Sequence, residues 1–235
     1  MVMAMTEVTL KTRARLPETG EIYTCNPQTK MLVIGEPRAA DGVTACMIVS
    51  NNVNATNLSL RTFERTDLKC VDRMIIIDDA SQREKNYELA VRFLERRGEG
   101  VLLRVKSPLN HHAALQIIVD QDLVHTPYLL TIDSDVEVKS GVLKDLVRVM
   151  KESGEDQVYG VGEMIPSIKM TVKGPIKESP VREWTRRECI HYYYTLFNAK
   201  VWLSLAREYT ISQYWDYKTG RMYDTGTKMY EEALR

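Results

Sequence analysis

From residue 45 onward four short apolar runs, "ACMIVS" (45–50), "DRMIIID" (72–78), "GVLLRV" (100–105) and "PYLLTID" (127–133), are separated by segments of helical period. Regular alternation of this kind is the pattern of βαβ units, whose crossovers lay helices on both faces of a parallel sheet. None of the runs alternates polar with apolar residues, as expected for strands covered on both sides. Between the second and third runs Tyr87, Ala90, Val91 and Leu94 recur at i, i+3, i+4 and i+7, and Gly98 follows as a helix stop. After the fourth run Leu143, Leu146, Val147 and Met150 repeat the pattern, with Ser140 placed to cap the start and Gly154 to end it. Segments 54–66 and 110–124 read as weaker helices with Leu58, Ile117 and Ile118 facing inward. The expected fold class is α/β, with a mostly parallel central sheet.

The ends of the chain read differently. Pro17, Gly20, Pro27, Gly35, Pro37 and Gly42 break every run in the first forty-odd residues, which predicts a loop-rich arm or small hairpin over 1–42. After "GVGEMIP" (160–166) the alternation stops and the chain turns aromatic and basic. The expected organisation is therefore one domain: the arm, a sheet-forming half at 43–163, and a second half at 164–235.

Thirty-two basic and thirty-two acidic residues cancel, so no global field draws the chain to a nucleic acid or an anionic membrane. No signal-peptide pattern and no run of about 18 apolar residues is seen, which predicts a protein without a membrane span. Cys25, Cys46, Cys70 and Cys189 form no CxxC pair, and are expected as free thiols in a reducing cytoplasm.

Two of the apolar runs end in acid. "MIIIDDAS" delivers Asp78 and Asp79, and "LLTIDSDVEV" delivers Asp133 and Asp135. In an open parallel sheet, ligands sit beyond the carboxyl ends of the strands, so these four carboxylates are candidates for the site. Asp133 and Asp135 share a side if the strand persists, and two close carboxylates repel unless a cation lies between them. Oxygen ligands with few His or Cys nearby suit Mn²⁺ or Mg²⁺. The plainer alternative is a turn, which Asp and Ser favour. Asp78 or Asp79 either caps the following helix, as Ser81 could, or accepts a hydrogen bond from an N–H of a bound base.

Taken together, "CMIVSNN", a helix, "MIIIDDAS", a helix, a third strand and "LLTIDSDVEV" resemble the nucleotide-sugar-binding half of the GT-A fold, and are most similar to family 2 glycosyltransferases. The resemblance covers about residues 43–163. It implies a nucleotide-binding role for Ser50 on the first strand's loop, base recognition by Asp79 or Asp78, and a metal on the donor diphosphate held by Asp133 and Asp135. "SPLNHHAAL" (107–115) occupies the place of an Asn-x-Gly-type segment, with His112 where a Gly is common. The implied reaction is metal-dependent, inverting transfer of a sugar from a UDP- or GDP-linked donor to an acceptor hydroxyl.

In the second half "YDTG" (223–226) sits near where the family places its catalytic carboxylate, which makes Asp224 the candidate base, with Asp216, Glu231 and Glu232 as rivals. Arg182, Arg186, Arg187 and His191 cluster in "VREWTRRECIHYYY"; Arg187 is a candidate diphosphate contact, and His191 a third metal ligand, an acceptor contact or a core residue. Trp184, Tyr192, Tyr193, Tyr194, Trp202 and Trp215 either stack on sugar rings or pack the core. Residues 205–235, without a sustained apolar stripe, are expected to form a lid that orders over the donor. Two rival classes remain: a haloacid dehalogenase-type phosphatase, which would place its DxD on the first strand, and a non-catalytic nucleotide-sugar-binding module.

Overall fold

A computed structural model describes residues 5–16, 21–38, 42–65, 70–153, 159–162, 177–178, 185–186, 194–211, 213–216 and 221–224, the side chains of 177–178, 185–186, 213–216 and 221–224 excepted. In chain order the elements are β1 (Thr6–Thr9), β2 (Thr12–Arg15), β3 (Ile22–Cys25), β4 (Gln28–Ile34), β5 (Val43–Val49), α1 (Val53–Glu64), β6 (Val71–Asp79), α2 (Glu84–Arg97) and β7 (Gly100–Val105). There follow α3 (His111–Asp120), β8 (Tyr128–Asp133), α4 (Val142–Glu152), β9 (Gly160–Gly162), β10 (Lys177–Glu178), β11 (Thr185–Arg186), β12 (Tyr194–Asn198), α5 (Ala199–Tyr209), β13 (Gln213–Asp216) and β14 (Arg221–Asp224).

The four apolar runs are the four parallel strands. They pair in the order β7-β6-β5-β8, flanked by β4 and β1 on one side and β12 and β9 on the other, in a single eight-stranded sheet. Pairs β5–β6, β6–β7 and β5–β8 are parallel, whereas β4 and β12 run antiparallel to their neighbours β7 and β8. All seven residues of β5 are buried, because helices cover both faces. Ala45, Met47 and Val49 belong to the core layer that holds Leu60 and Phe63 of α1, Leu94 of α2 and Leu146 of α4. Cys46 and Ile48 point the other way, into a layer with Ile117 and Ile118 of α3 and Trp202 of α5. Burial raises the Cys46 thiol to about 12, so it acts as a small hydrophobe; Cys70 is also buried, and Cys25 is half-buried and free.

Several local expectations are corrected. Leu58 is 48% exposed, because the inward face of α1 is Thr56, Ser59, Leu60 and Phe63, and a position two residues before Leu60 lies more than half a turn around the helix. Ser140 does not cap α4: the chain enters through Gly141 at φ 83, one residue later, with no side-chain cap. Neither an aspartate nor Ser81 caps α2, which begins after Arg83, while Gly98 at φ 74 closes it by donating to the Leu94 and Glu95 carbonyls, as its position predicted. Segments 54–66 and 110–124 hold full helices, with Asn52 and Asn110 as side-chain N-caps.

The first forty-odd residues carry more regular structure than an arm. Strand β4 adds to the sheet beside β7, β1 adds beside β4, and β2 and β3 form a hairpin. That hairpin packs on α3, where Asp120 accepts from the Thr12 hydroxyl, the Arg13 amide and the Arg13 guanidinium at 2.7–3.1 Å. Residues 205–209, expected at the start of a lid, are instead the last turns of α5, and Ala206 is buried there. Strands β13 and β14 pair antiparallel and carry Asp216 and Asp224 at their ends.

Candidate functional site

The order β7-β6-β5-β8 reverses direction at β5, so the loops after β5 and β8 diverge and leave a crevice between them. A cleft of about 380 Å³ opens there, lined by Ile48, Ser50, Asp79, Asn110, His111, Asp133, Ser134 and Asp135. Four successive strand ends thus deliver the lining, and four residues predicted from sequence, Ser50, Asp79, Asp133 and Asp135, meet in it.

Asp78 does not. Its side chain is fully buried beneath the cleft, where one oxygen accepts the Ser81 amide at 3.0 Å and the other lies 3.3 Å from the Arg104 guanidinium. Burial pushes its carboxyl above the usual range, against the pull of Ser81 and Arg104. Arg104 is itself held by Glu84 at 2.8 Å and over the Tyr87 ring at 4.9 Å, so Asp78 belongs to the supporting structure.

Asp79 faces the cleft. Its Oδ1 accepts the Leu109 amide at 2.7 Å and the carboxylate also accepts the Asn110 amide, which ties the loop after β7 to the end of β6. Burial raises this carboxyl, while the two amides and the nearby His111 oppose the rise. Asn110 holds φ 72 and caps α3 by accepting the Ala113 amide at 3.0 Å, an arrangement that turns His111 into the cleft. Ile48, Asn110, His111 and Ser134 are the lining residues that the sequence reading did not single out; for Asn110 and His111 the signal was an Asn immediately before a helical run, beside the His112 that it did note.

Asp133 is the most perturbed group of the site. Burial and the charge of Asp135 lift its carboxyl to about 6, with His112 opposing. Its Oδ1 is buried and receives no hydrogen bond, and the His111 Nε2 at 3.4 Å is a charge contact at most. Among the described residues no group of three or more His, Cys, Asp or Glu side chains is arranged around a metal position. Arg182, Arg187, His191, Trp184, Tyr192, Tyr193, Glu231 and Glu232 lie outside the described residues, and Asp224, Asp216, Arg186 and Trp215 are described in backbone only. Trp202 and Tyr194 are fully buried core residues, not platforms for a sugar.

The family model described as "Glycosyl transferase family 2" matches residues 52–209, well over half of the chain. The chain belongs to glycosyltransferase family 2. The family 2 match spans the ends of β6, β7 and β8 that build the cleft, and the DxD starts at the last residue of the fourth parallel strand and continues into a turn, so the dehalogenase-type alternative falls away. Solved structures with the same fold include the mannosyltransferase PcManGT from Pyrobaculum calidifontis in complex with GDP-Man and Mn²⁺, at TM-score 0.51 and 14% identity over 74% of this chain and 49% of that one. Another is residues 1–349 of TarS from S. aureus in complex with UDP, at TM-score 0.55 and 12% identity over 82% of this chain and 55% of that one. The family 2 chain thus spans about half the length of these structures. No curated protein sequence matches it. Among the described residues no helix is long and apolar enough to cross a membrane.

Proposed function

We propose that this family 2 chain transfers a sugar from a nucleoside-diphosphate sugar to an acceptor hydroxyl, with a divalent cation and with inversion. The observation that carries the reading is the meeting of Asp79, Asp133 and Asp135 in one cleft at the carboxyl ends of a GT-A-like sheet. The complexes of the related folds with GDP-Man and Mn²⁺ and with UDP support the donor class.

The residues fit a cation. A buried carboxylate oxygen without a donor, next to a second carboxylate, leaves negative charge that a hard divalent ion would neutralise. Asp133 and Asp135 would hold Mn²⁺ or Mg²⁺, which when bound supplies charge neutralisation for a departing diphosphate. The chain's own groups do the rest. Asp79 presents its carboxylate to an N–H of the base, and Ser50 bounds the nucleotide from the β5 side. The first turn of α3, with His111 beside Asp133, closes the third wall. Asp224 takes the acceptor proton as the hydroxyl attacks the anomeric carbon, so that one bond forms as the bond to diphosphate breaks. Arg187 and His191 are proposed to face the diphosphate from the second half of the chain.

A thermal-shift panel of nucleoside diphosphates with and without Mn²⁺ tests the reading. Ligand at 100 times its dissociation constant adds roughly 2.7 kcal/mol. Release of free nucleoside diphosphate from a donor sugar then separates an enzyme from a binding module. No shift with any nucleotide refutes the site, and binding without turnover refutes the transfer.

A further inference from the structure

The pairing of β5 with β6 ends at Val49 and Asp78. Beyond it, the loop that follows Ser50 and the loop that follows Asp79 are joined by a pair of reciprocal hydrogen bonds. The Asn51 amide donates to Ser81 Oγ at 3.1 Å, and the Gln82 amide donates back to Asn51 Oδ1 at 2.8 Å. Ser81 is held from below, since its amide donates to Asp78 Oδ1 at 3.0 Å and its hydroxyl accepts from Asn86 Nδ2 at 3.2 Å. Asn86 is fully buried and Ser81 nearly so. The backbone follows these bonds into strained territory: Asn51 sits at φ 49 and Ala80 at φ 52, outside the range that residues with a side chain favour. Asn tolerates the left-handed region better than most, which accounts for this residue type at 51.

We infer that Asn51 and Ser81 form a clamp that fixes the β5–α1 loop against the β6–α2 loop and so holds Ser50 in place as the β5 wall of the donor cleft. The inference rests on the reading of that cleft as a nucleotide site. Both are positioning residues: neither lines the cleft, and each acts through the neighbour that does. The clamp continues a wider pattern in which one loop's side chain holds the next loop's backbone. Asp79 takes the Leu109 amide, and Ser59 of α1 donates to the Asp133 carbonyl at 3.2 Å. A cleft tied in this way is preorganised, and the cost of ordering its walls is met in folding and not in binding.

The test is a double-mutant cycle on the full chain with Asn51→Gly and Ser81→Ala. Glycine at 51 accepts the positive φ and removes the side-chain half of the clamp, together with the long Nδ2 bond to Ser50 Oγ at 3.4 Å, at an exposed position, so that variant folds even if Ser81→Ala does not. Binding of UDP and of GDP, each with MnCl₂, is measured by calorimetry at 20 °C alongside melting temperature. The expected result is a dissociation constant raised about three- to tenfold by either change, and no further by both together, because each breaks the same unit. Turnover at saturating donor stays close to wild type, so the loss appears in KM and not in kcat. A merely structural role would lower the melting temperature and leave nucleotide affinity at 20 °C untouched, and that result overturns the clamp, as do effects that simply add. Wild-type protein that binds neither nucleotide overturns the nucleotide site itself, and the clamp's role with it.

Discussion

Replacing Asp133 by Asn should stabilise the protein in the absence of ligand while removing the metal-dependent nucleotide binding proposed above. The carboxyl titrates at about 6 in the folded chain against 3.8 ordinarily, through burial first and the charge of Asp135 second. Below pH 3.8 the group is neutral in both folded and unfolded states and costs nothing. As pH rises the unfolded chain ionises first, so the folded state is penalised increasingly until pH passes about 6, and the penalty is constant above that. At about 1.4 kcal/mol for each tenfold in proton affinity, the ceiling is roughly 3 kcal/mol. The side chain is 32% exposed, and solvent screening brings the expected gain of Asp133→Asn to about 1–2 kcal/mol. For a chain of this size that is about 2–6 °C in melting temperature at pH 8. Melting followed by circular dichroism at pH 8 and pH 4, without nucleotide or metal, measures it. A variant that melts at or below wild type at pH 8, or one whose gain is as large at pH 4, refutes the electrostatic account.

Three further outcomes follow from other residues. Asp79→Ala removes the acceptor of the Leu109 and Asn110 amides as well as the proposed base contact, and should weaken nucleoside diphosphate binding by about 1–3 kcal/mol in titration calorimetry, with faster amide exchange at 109–110. Asp224→Asn should keep donor affinity and abolish transfer, since an amide cannot accept the acceptor's proton; transfer at near wild-type rate removes Asp224 from the chemistry. Gly100→Ala should destabilise by about 2–4 kcal/mol in denaturant unfolding, because at φ 144 a methyl group would stand 2.5 Å from Leu94 and 2.9 Å from the Met74 carbonyl.

The parallel core was legible because its strands are buried on both faces, so "MIIID" and "YLLTID" announce themselves without knowledge of partners. The carboxylates at their ends were legible for the same reason: charge directly after a buried strand has few places to go. Strand β4 was not. Its apolar stretch is only "MLVI", bracketed by Pro27 and Gly35, and Val33 is 48% exposed, so the run offers neither strand alternation nor helical period. What makes it a strand is the unpaired edge of β7, a tertiary fact. That Asp78 is buried while Asp79 lines the cleft was equally hidden, since it turns on Arg104, a residue 26 positions from Asp78. Asn110 and His111 were missed because a positive-φ cap is set by the loop's path and not by residue type alone.

The antiparallel partnership of β4 with β7 bears on the integrity of the whole chain. Without residues 28–34, β7 would present the row of amides and carbonyls from Gly100 to Val105 to solvent, beside one of the most apolar interiors in the molecule. A fragment starting at residue 43 would keep every carboxylate of the cleft and still be a poor protein, prone to pair with its own kind along that open border. The N-terminal strands therefore act as a selvedge: woven onto the sheet's margin from the far end of the chain, they keep six parallel-sheet residues from becoming a template for aggregation.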